Sequence, residues 1–348
     1  MAHVEAAVTP ERQAFYDKID KENLTPLWSV MGALITPEPK SACVPFGWDY
    51  NNIRRYLLEA GGLITAKEAQ RRVLILENPG LRGQSKITTS LYAGIQLVIP
   101  GEVAPAHRHS QSALRFVLEG EGAHTAVGGE KTMMRYGDFV ITPAWAWHDH
   151  GNQTKDPMMW LDGLDIPLVQ FFDASFAENY AEDEQPIGRA VGDSLARYGA
   201  NMLPVDHEKR GLNSPVFNYP YVRSREALEI MKRQNEWDPC HGLKMKYVNP
   251  ADGGHAMPTM GTFLQLLPKG FVSARYRSTD ATVFVCTEGK GKTRIGDQVI
   301  SWGPRDIFVA PSWHWISHEP ETEAVLFSYS DRPVHEKLGL FREQRGNA

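Results

Sequence analysis

Three histidines of this sequence have a spacing that suits metal binding. His107 and His109 are separated by one residue, and His148 follows the turn predicted at Pro143. Because alternate residues of a β-strand point to the same face, His107 and His109 can direct both imidazoles to one point. A third imidazole from His148 completes a set of neutral ligands that suits a divalent transition metal with open positions for water or substrate. The spacing therefore predicts one metal site.

Polar residues on neighbouring predicted strands are candidates for substrate binding. Arg115 has the strand parity that turns it toward the interior of the domain. A buried charge needs an anionic partner, which is either a substrate carboxylate or an internal acid. Tyr92, Gly94 and Gln96 share one face of their strand, which is either the wall of a pocket for an aromatic ring or a face open to solvent.

Two further residues are candidates for proton transfer. His150 lies two residues past His148, and a histidine with a pKa near neutrality could take a proton from a bound substrate. Asp162 could orient this histidine, or Asp162 could be a turn residue beside Gly163. Most of the other histidines, among them His124, have no partner pattern, and we expect them to be structural.

An internal repeat indicates how these residues are positioned. Residues 100–117 and 137–150 recur as 268–285 and 304–318, and both blocks share an offset of 168 residues. Short apolar runs broken by glycine and proline predict antiparallel barrels or sandwiches. At this offset Arg275, Arg277 and Ile316 stand where the three histidines do, so we expect a metal only in the first copy.

The chain is therefore predicted to be mainly β, with helices outside the two copies. We expect a helical arm over residues 1–65, a first barrel over 66–185, a linker with a helix over 186–250 and a second barrel over 251–348. The first helix should begin at Thr9-Pro10 and run to about Ile19. A second helix should run from Asp49 through Leu58 and stop at Gly61-Gly62.

Composition excludes several classes of partner. Lys and Arg number 37 against 42 Asp and Glu, a net charge of −5, so nucleic acid is not an expected partner. No apolar run approaches the ~20 residues that span a bilayer, and residues 1–12 lack the pattern of a secretory signal. The three cysteines, an odd and widely spaced set, fit free thiols in a reducing cytoplasm.

Two motifs resemble those of a known superfamily. The pattern G-x5-H-x-H from Gly101 to His109, followed by G-x5-P-x4-H-x3-N from Gly137 to Asn152, resembles the cupins, small β-barrels with a central metal. The duplication implies a bicupin, two tandem cupin (jelly-roll) barrels. Ala113 stands where most cupins have a glutamate ligand, and Trp145 where they have glycine. Across essentially the whole chain, strings such as HRHSQSALRFVLEGEG, TPAWAWHDHGN and WLDGLD resemble the gentisate 1,2-dioxygenases.

This resemblance implies an Fe(II) enzyme with one iron per chain, in the first barrel. It implies cleavage of gentisate (2,5-dihydroxybenzoate) with O2 to maleylpyruvate, Arg71 as a second substrate contact, and a homotetramer. Three neutral ligands leave the charge of the metal uncompensated, which favours an anionic substrate that chelates through its carboxylate and ortho hydroxyl. Three alternatives remain open: a relative acting on salicylate or 1-hydroxy-2-naphthoate, a non-redox enzyme with a hydrolytic zinc, and a bicupin that stores or binds ligands.

Overall fold

Residues 8–208 and 211–346 are described by the structure, a computed structural model. The first seven residues of the predicted arm, residues 209 and 210 of the predicted linker and the last two residues of the predicted second barrel lie outside this part. The chain divides into two compact units between Lys40 and Ser41. Among the described residues, no helix has both the length and the apolar composition that crossing a bilayer requires.

Two helices form the first unit, α1 (Pro10–Asp20) and α2 (Leu27–Leu34). The predicted start of α1 is confirmed, because the side chain of Thr9 accepts a hydrogen bond from the amide of Arg12. Proline at the first helical position lacks an amide hydrogen that would otherwise go unpaired there. The sequence patterns did not predict α2.

The second unit begins with β1 (Phe46–Trp48) and α3 (Tyr50–Leu63). The helix predicted from Asp49 is present and begins one residue later, with Asp49 as its cap, which accepts a hydrogen bond from the amide of Asn52. The predicted stop at Gly61-Gly62 is wrong, since the helix continues to Leu63. A Cβ added to Gly61 would lie 3.4 Å from Leu97 Cδ2, an ordinary van der Waals distance, so the packing of the last turn does not require glycine there. The remaining helices are α4 (Ala66–Ala69), α5 (Ile166–Phe171), α6 (Asp193–Tyr198), α7 (Tyr221–Lys232) and α8 (Arg332–Lys337), with a short 3-10 turn at Pro79–Leu81.

The first barrel consists of two antiparallel sheets. Its strands are β2 (Val73–Ile75), β3 (Tyr92–Val98), β4 (Val103–His109), β5 (Ala113–Glu119), β6 (His124–Val127), β7 (Glu130–Met133), β8 (Phe139–Thr142), β9 (His148–Gly151), β10 (Met158–Leu164), β11 (Ala177–Asn179) and β12 (Asn218–Tyr219). One sheet has six strands in the order β12-β8-β5-β10-β3-β2, and the other has five in the order β11-β4-β9-β6-β7.

The second barrel repeats this arrangement. Its strands are β13 (Leu243–Lys246), β14 (Gly261–Leu267), β15 (Tyr276–Ser278), β16 (Thr282–Glu288), β17 (Gly291–Ile295), β18 (Gln298–Trp302), β19 (Ile307–Ala310), β20 (Ile316–Pro320), β21 (Ala324–Ser330) and β22 (Glu343–Arg345). The sheets run β1-β19-β16-β21-β14-β13 and β18-β17-β20-β15-β22. The mainly β bicupin fold predicted from the repeat is thus confirmed.

The two six-stranded sheets pack against each other and form the largest core. The rings of Phe116 and Phe327 stack across it with centroids 4.0 Å apart. On β3, the residues Ala93, Ile95 and Leu97 belong to this shared core. Since strand residues alternate between faces, Tyr92, Gly94 and Gln96 point to the opposite side, into the first barrel.

The two barrels match at two offsets rather than one. His107 pairs with His148 in the first barrel, and Tyr276 pairs with Ile316 in the second. Ile316 lies 168 residues after His148, as the repeat predicts, but Tyr276 lies 169 residues after His107. The cause is the hairpin that follows β5 and β16, which reads EGEGAHT in the first copy and EGKGKT, one residue shorter, in the second.

The predicted replacement of the first two histidines is therefore wrong by one residue. Tyr276 and Ser278 stand at those positions, rather than Arg275 and Arg277. Arg277 is instead the counterpart of Arg108, since each guanidinium stacks on two tryptophan rings. The ring pairs are Trp313 and Trp315, at 4.4 and 4.7 Å from Arg277, and Trp145 and Trp147, both at 4.6 Å from Arg108.

Candidate active site

The three predicted metal ligands come together inside the first barrel. Strand β4 carries His107 and His109, and the adjacent strand β9 begins at His148, directly opposite His107. The ring centroids are 4.3 to 5.3 Å apart. One ligand atom from each ring lies within 4.8 Å of the other two. Antiparallel pairing thus assembles a three-nitrogen group that the sequence spacing could only suggest.

A backbone carbonyl holds each of the three rings. The Nδ1 atoms of His107, His109 and His148 lie 3.2, 2.9 and 2.9 Å from the carbonyl oxygens of Pro105, Gln111 and Ala146, respectively. A carbonyl only accepts, so Nδ1 of His109 and of His148 donates, and Nε2 of each keeps the lone pair that a metal needs. Nε2 of His148 is buried with no hydrogen-bond partner among the described residues. Because an unpaired buried acceptor is costly, the donor set fits a bound metal ion.

Burial keeps these imidazoles neutral. It lowers the pKa of His107 to about 3 and that of His109 to about 4, and it holds the pKa of His148 well below its ordinary value. The guanidinium groups of Arg71 and Arg115 contribute to the low pKa values of His107 and His109, and that of Arg115 to the low pKa of His148. Neutral imidazole is the form that binds a metal, so the burial of the three rings keeps them ready to bind a divalent transition ion.

Arg115 and Asp162 form a buried ion pair across β5 and β10. Their side chains approach to 3.5 Å between Nε and Oδ1, and Arg115 Nη1 also donates to the hydroxyl of Thr142. Trp160 Nε1 donates to Asp162 Oδ1 at 2.9 Å. Burial raises the pKa of Asp162 to about 6, although the charge of Arg115 opposes this. The internal acid left open as a partner for Arg115 is therefore present, and a role in binding substrate stays a prediction.

The two neighbouring arginines before β2 point in different directions. Arg71 Nη2 lies 2.8 Å from Pro105 O and 2.5 Å from Nδ1 of His107, so its guanidinium borders the histidine group. Burial and, to a smaller extent, the nearby charge of Arg115 lower the pKa of Arg71 to about 9. Arg72 instead forms a double ion pair with Glu102, at 2.6 and 2.8 Å. The fold thus brings only Arg71 to the candidate site.

The polar face of β3 is part of the barrel interior. Gly94 and Gln96 are buried and Tyr92 is half-buried, which excludes the alternative that this face is open to solvent. A Cβ on Gly94 would lie 2.8 Å from Tyr92 Oη and 2.4 Å from Val73 Cγ1, so glycine is what lets the phenol lie over the strand. The amide nitrogen of Gln96 is buried without a hydrogen-bond partner in the described part of the chain, so it is available to a ligand.

His150 lies beyond the three-histidine group. Its ring centroid is 5.9 Å from that of His148, and its Nδ1 lies 2.9 Å from the hydroxyl of Thr125. Burial holds the pKa of His150 well below its ordinary value, so the expected near-neutral pKa is wrong. In the second barrel His318 makes the same contact with Thr293, at 2.8 Å. This histidine–threonine pair is therefore present in a barrel without the three histidines.

A comparison of the barrels shows what is particular to the first. In the first barrel Asp162 pairs with Arg115 on one neighbouring strand and with Gly94 on the other. The counterpart of Asp162 in the second barrel is Ser328, which pairs with Phe284 and Phe263. The Phe284 ring stacks on Phe308 with centroids 4.8 Å apart. Phenylalanines thus occupy, in the second barrel, the positions that Arg115 and Gly94 have in the first.

Two hydrogen-bonding residues of the site were not predicted from the sequence. Trp160 lies two residues before Asp162 on β10, so strand alternation alone could have placed it on the same face. Thr142 reaches Arg115 because β5 pairs with β8, and no sequence pattern indicates that pairing. The first is a missed signal, and the second needs tertiary structure.

Comparisons with known proteins agree with this geometry. A family model described as a cupin domain matches residues 94–164. The chain is 64% identical to gentisate 1,2-dioxygenase 1 of Aquipseudomonas alcaligenes, over 97% of this chain and 98% of the relative. It is 36% identical to a gentisate 1,2-dioxygenase of a Streptomyces species, over 95% of this chain and 94% of the relative.

A solved structure extends the likeness to the whole fold. The crystal structure of salicylate 1,2-dioxygenase from Pseudoaminobacter salicylatoxidans, with gentisate adducts, matches with a TM-score of 0.93 and 34% identity. The match covers 99% of this chain and 96% of that one. The barrels, the histidine group and these relatives lead to one assignment. The chain belongs to the cupin family of ring-cleaving dioxygenases that includes the gentisate 1,2-dioxygenases.

Proposed function

We propose that this dioxygenase uses Fe(II), one ion per chain in the first barrel, to convert gentisate and O2 to maleylpyruvate. The observation that carries the proposal is a metal-ligand group of three neutral histidines with no carboxylate among them. Ala113, where most cupins have a glutamate ligand, is a buried residue at the start of β5. The relative with 64% identity is named a gentisate 1,2-dioxygenase, which supports the substrate.

The charge of the ligand group favours a chelating anion as substrate. His107, His109 and His148 would hold the iron and leave its two positive charges uncompensated. Gentisate carries a carboxylate and an ortho hydroxyl, two adjacent oxygens that can neutralise a divalent ion together. Bound iron would supply the redox chemistry with O2 that ring cleavage requires.

Arg115 and Arg71 are our candidates to bind the substrate carboxylate. The Arg115 side chain is buried and that of Arg71 is half-buried, and their guanidinium groups repel each other, which contributes to the lowered pKa of Arg71. An anion between two such cations would relieve that repulsion, and each planar fork can make two parallel hydrogen bonds to a carboxylate. Tyr92, Gly94 and Gln96 would form the wall beside the ring, with the unpaired amide of Gln96 facing the substrate.

Asp162 and His150 are our candidates to move the phenolic proton. A general base works best with a pKa near the operating pH, and that of Asp162 is about 6. Trp160 and Arg115 hold the carboxylate in place, so its free lone pairs have a fixed direction. His150 has an unpaired Nε2 that can accept a proton, but burial makes it the weaker base of the two.

An oxygen-uptake assay tests metal, reaction and substrate together. The protein is freed of metal, reconstituted anaerobically with Fe(II) and mixed with O2 and gentisate, salicylate or 1-hydroxy-2-naphthoate. We expect uptake with gentisate in a ratio of one O2 per substrate and none in a matched Zn(II) preparation. No uptake with gentisate, or equal turnover with zinc, would overturn the proposal.

Salicylate is the second candidate substrate. It has the same carboxylate and ortho hydroxyl, and a structural relative with 34% identity is named a salicylate 1,2-dioxygenase. Faster uptake with salicylate than with gentisate in the same assay would favour this candidate. We further propose that the protein is cytoplasmic, with which its three buried free cysteines are consistent. We also propose that it is a homotetramer, which light scattering would detect as the mass of four 39.0-kDa chains.

A further inference from the structure

A second group of metal-binding side chains lies on the other face of β9. Asp149 lies between His148 and His150 on this strand, so its side chain points away from the barrel interior. There it approaches His124 of β6 and Glu184 of the segment that follows β11. We propose that His124, Asp149 and Glu184 form a second site for a divalent ion of the Zn(II) class, separate from the three-histidine group.

Unpaired buried atoms point to a missing ligand at this place. His124 and Asp149 are 4% and 1% exposed, and neither His124 Nε2 nor Asp149 Oδ1 has a hydrogen-bond partner among the described residues. Their separation of 3.9 Å is too long for a hydrogen bond. A buried nitrogen and a buried carboxylate oxygen that face each other without contact need an atom between them.

The distances fit one ion. His124 Nε2 lies 3.9 Å from Asp149 Oδ1 and 3.8 Å from Glu184 Oε1. Zinc binds histidine nitrogen and carboxylate oxygen at about 2.0–2.2 Å, so two donors less than about 4 Å apart can share an ion. One imidazole with two carboxylates suits Zn(II) and its neighbours better than Mg²⁺ or Ca²⁺, which prefer oxygen alone. Glu184 is 46% exposed, which gives a path for the ion and room for a water ligand.

Lys131 is the competitor of a metal at this site. Its Nζ lies 3.6 Å from Glu184 Oε1, the same oxygen that faces His124. An ammonium held on a flexible stem can move away when an ion binds, whereas the two buried residues cannot. Removing the charge of Lys131 should therefore strengthen metal binding.

The site would fasten the segment after β11 onto the five-stranded sheet. Asp149 Oδ2 already accepts hydrogen bonds from the backbone amide and the side chain of Gln185, both at 3.1 Å. An ion shared by Asp149 and Glu184 would add a second link beside this one. The second barrel has Lys292 and Ser317 at the positions of His124 and Asp149, so it carries no such group.

A metal titration of the full chain tests the proposal. We would use tag-free protein with His107→Ala and His109→Ala, which removes two predicted iron ligands, and measure bound Zn(II) by calorimetry and elemental analysis. We expect one equivalent in this background and two in the unmodified chain. One equivalent in the unmodified chain and none in the background would mean that only water fills the gap, and it would overturn the proposal.

Three further variants in the same background identify the ligands and test the competing cation. Glu184→Gln should weaken Zn(II) binding by roughly 10-fold to 100-fold, and because Glu184 is half exposed the protein should fold normally. Glu182→Gln, a neighbouring exposed acid outside the group, is the matched control and should bind as before. Lys131→Met should tighten binding several-fold. A Lys131→Met protein that is less stable and binds no zinc would instead show that the ammonium is the resident cation.

Discussion

Replacing Arg115 by methionine separates substrate binding from structural support. The guanidinium lies 3.5 Å from Asp162 and donates to Thr142, and it is 3% exposed. Methionine keeps much of the length and apolar volume but removes the charge and all of its donors. If Arg115 binds the carboxylate of gentisate, we expect KM to rise far more than kcat falls.

The size of the effect follows from burial. Truncating one partner of a buried charge pair costs about 2–5 kcal/mol of binding free energy. Because Asp162 already satisfies part of the guanidinium, we expect the lower end, a rise in KM of roughly 30-fold to 100-fold. Iron binding should be retained or tightened, since the charge of Arg115 lowers the pKa of His148 and would repel a metal cation in the same way.

The same substitution should change the titration of Asp162. Its pKa of about 6 already reflects attraction by Arg115, so loss of that charge raises the pKa further. A carboxyl whose folded pKa exceeds its ordinary value of 3.8 lowers stability as pH rises through that interval. Arg115→Met should therefore be less stable at pH 8 than at pH 6, relative to the unmodified protein, by thermal unfolding of the metal-free forms.

A double variant decides between the two roles of Arg115. Asp162→Asn in the Arg115→Met background removes the unpaired carboxyl and should restore stability at pH 8. It should leave KM for gentisate high, because the cation is still missing. The reasoning is refuted if Arg115→Met leaves KM unchanged, or if the double variant recovers the KM of the Asp162→Asn single variant. Arg115→Lys, which keeps the charge without the fork, should lie between the extremes.

Three further predictions concern the barrel interior. His148→Ala should lose Fe(II) and O2 uptake together, and a variant that kept its iron would contradict the ligand assignment. Gly94→Ala places a Cβ 2.4 Å from a methyl group of Val73, so thermal unfolding should show a loss of about 1–3 kcal/mol in the free energy of unfolding. In the control Gly62→Ala, the added Cβ has nothing within 4 Å, so the free energy of unfolding should not fall. His150→Asn and His318→Asn should each lower the unfolding temperature, but only His150→Asn should change the pH dependence of kcat, and equal pH profiles would make His150 purely structural.

The histidine group and the bicupin fold could be predicted because their signals are local. Two imidazoles on alternate residues of a strand share a face whatever the rest of the fold does, and a repeated block needs only the sequence itself to be seen. The offset of 168 correctly identified Ile316 as the counterpart of His148 in the second barrel. The same offset failed for the other two ligands, because the hairpin after β16 is one residue shorter than the hairpin after β5, so the strands that precede it match at an offset of 169.

The partners of the buried charges could not be predicted in this way. Arg115 meets Asp162 because β5 and β10 are neighbours in a sheet, although 47 residues separate them in the chain. His124 has no sequence pattern, and it meets Glu184 only because the segment after β11 returns over the five-stranded sheet. Such contacts depend on strand order and on loop paths, which carry no periodicity of their own.

Comparison of the barrels separates fold from chemistry within one chain. Two features occur in both barrels: the histidine–threonine pair and the arginine stacked on two tryptophans. Because they do not depend on the three histidines, we assign them to the fold of the barrel. The charged pair of Arg115 and Asp162 occurs only beside the three histidines, and Phe284 and Ser328 replace it in the other copy. A buried ion pair adds little to stability compared with a well-packed apolar pair. The first barrel therefore carries a buried charged pair that the second barrel lacks at the same place, and we propose that binding of an anionic substrate accounts for this pair.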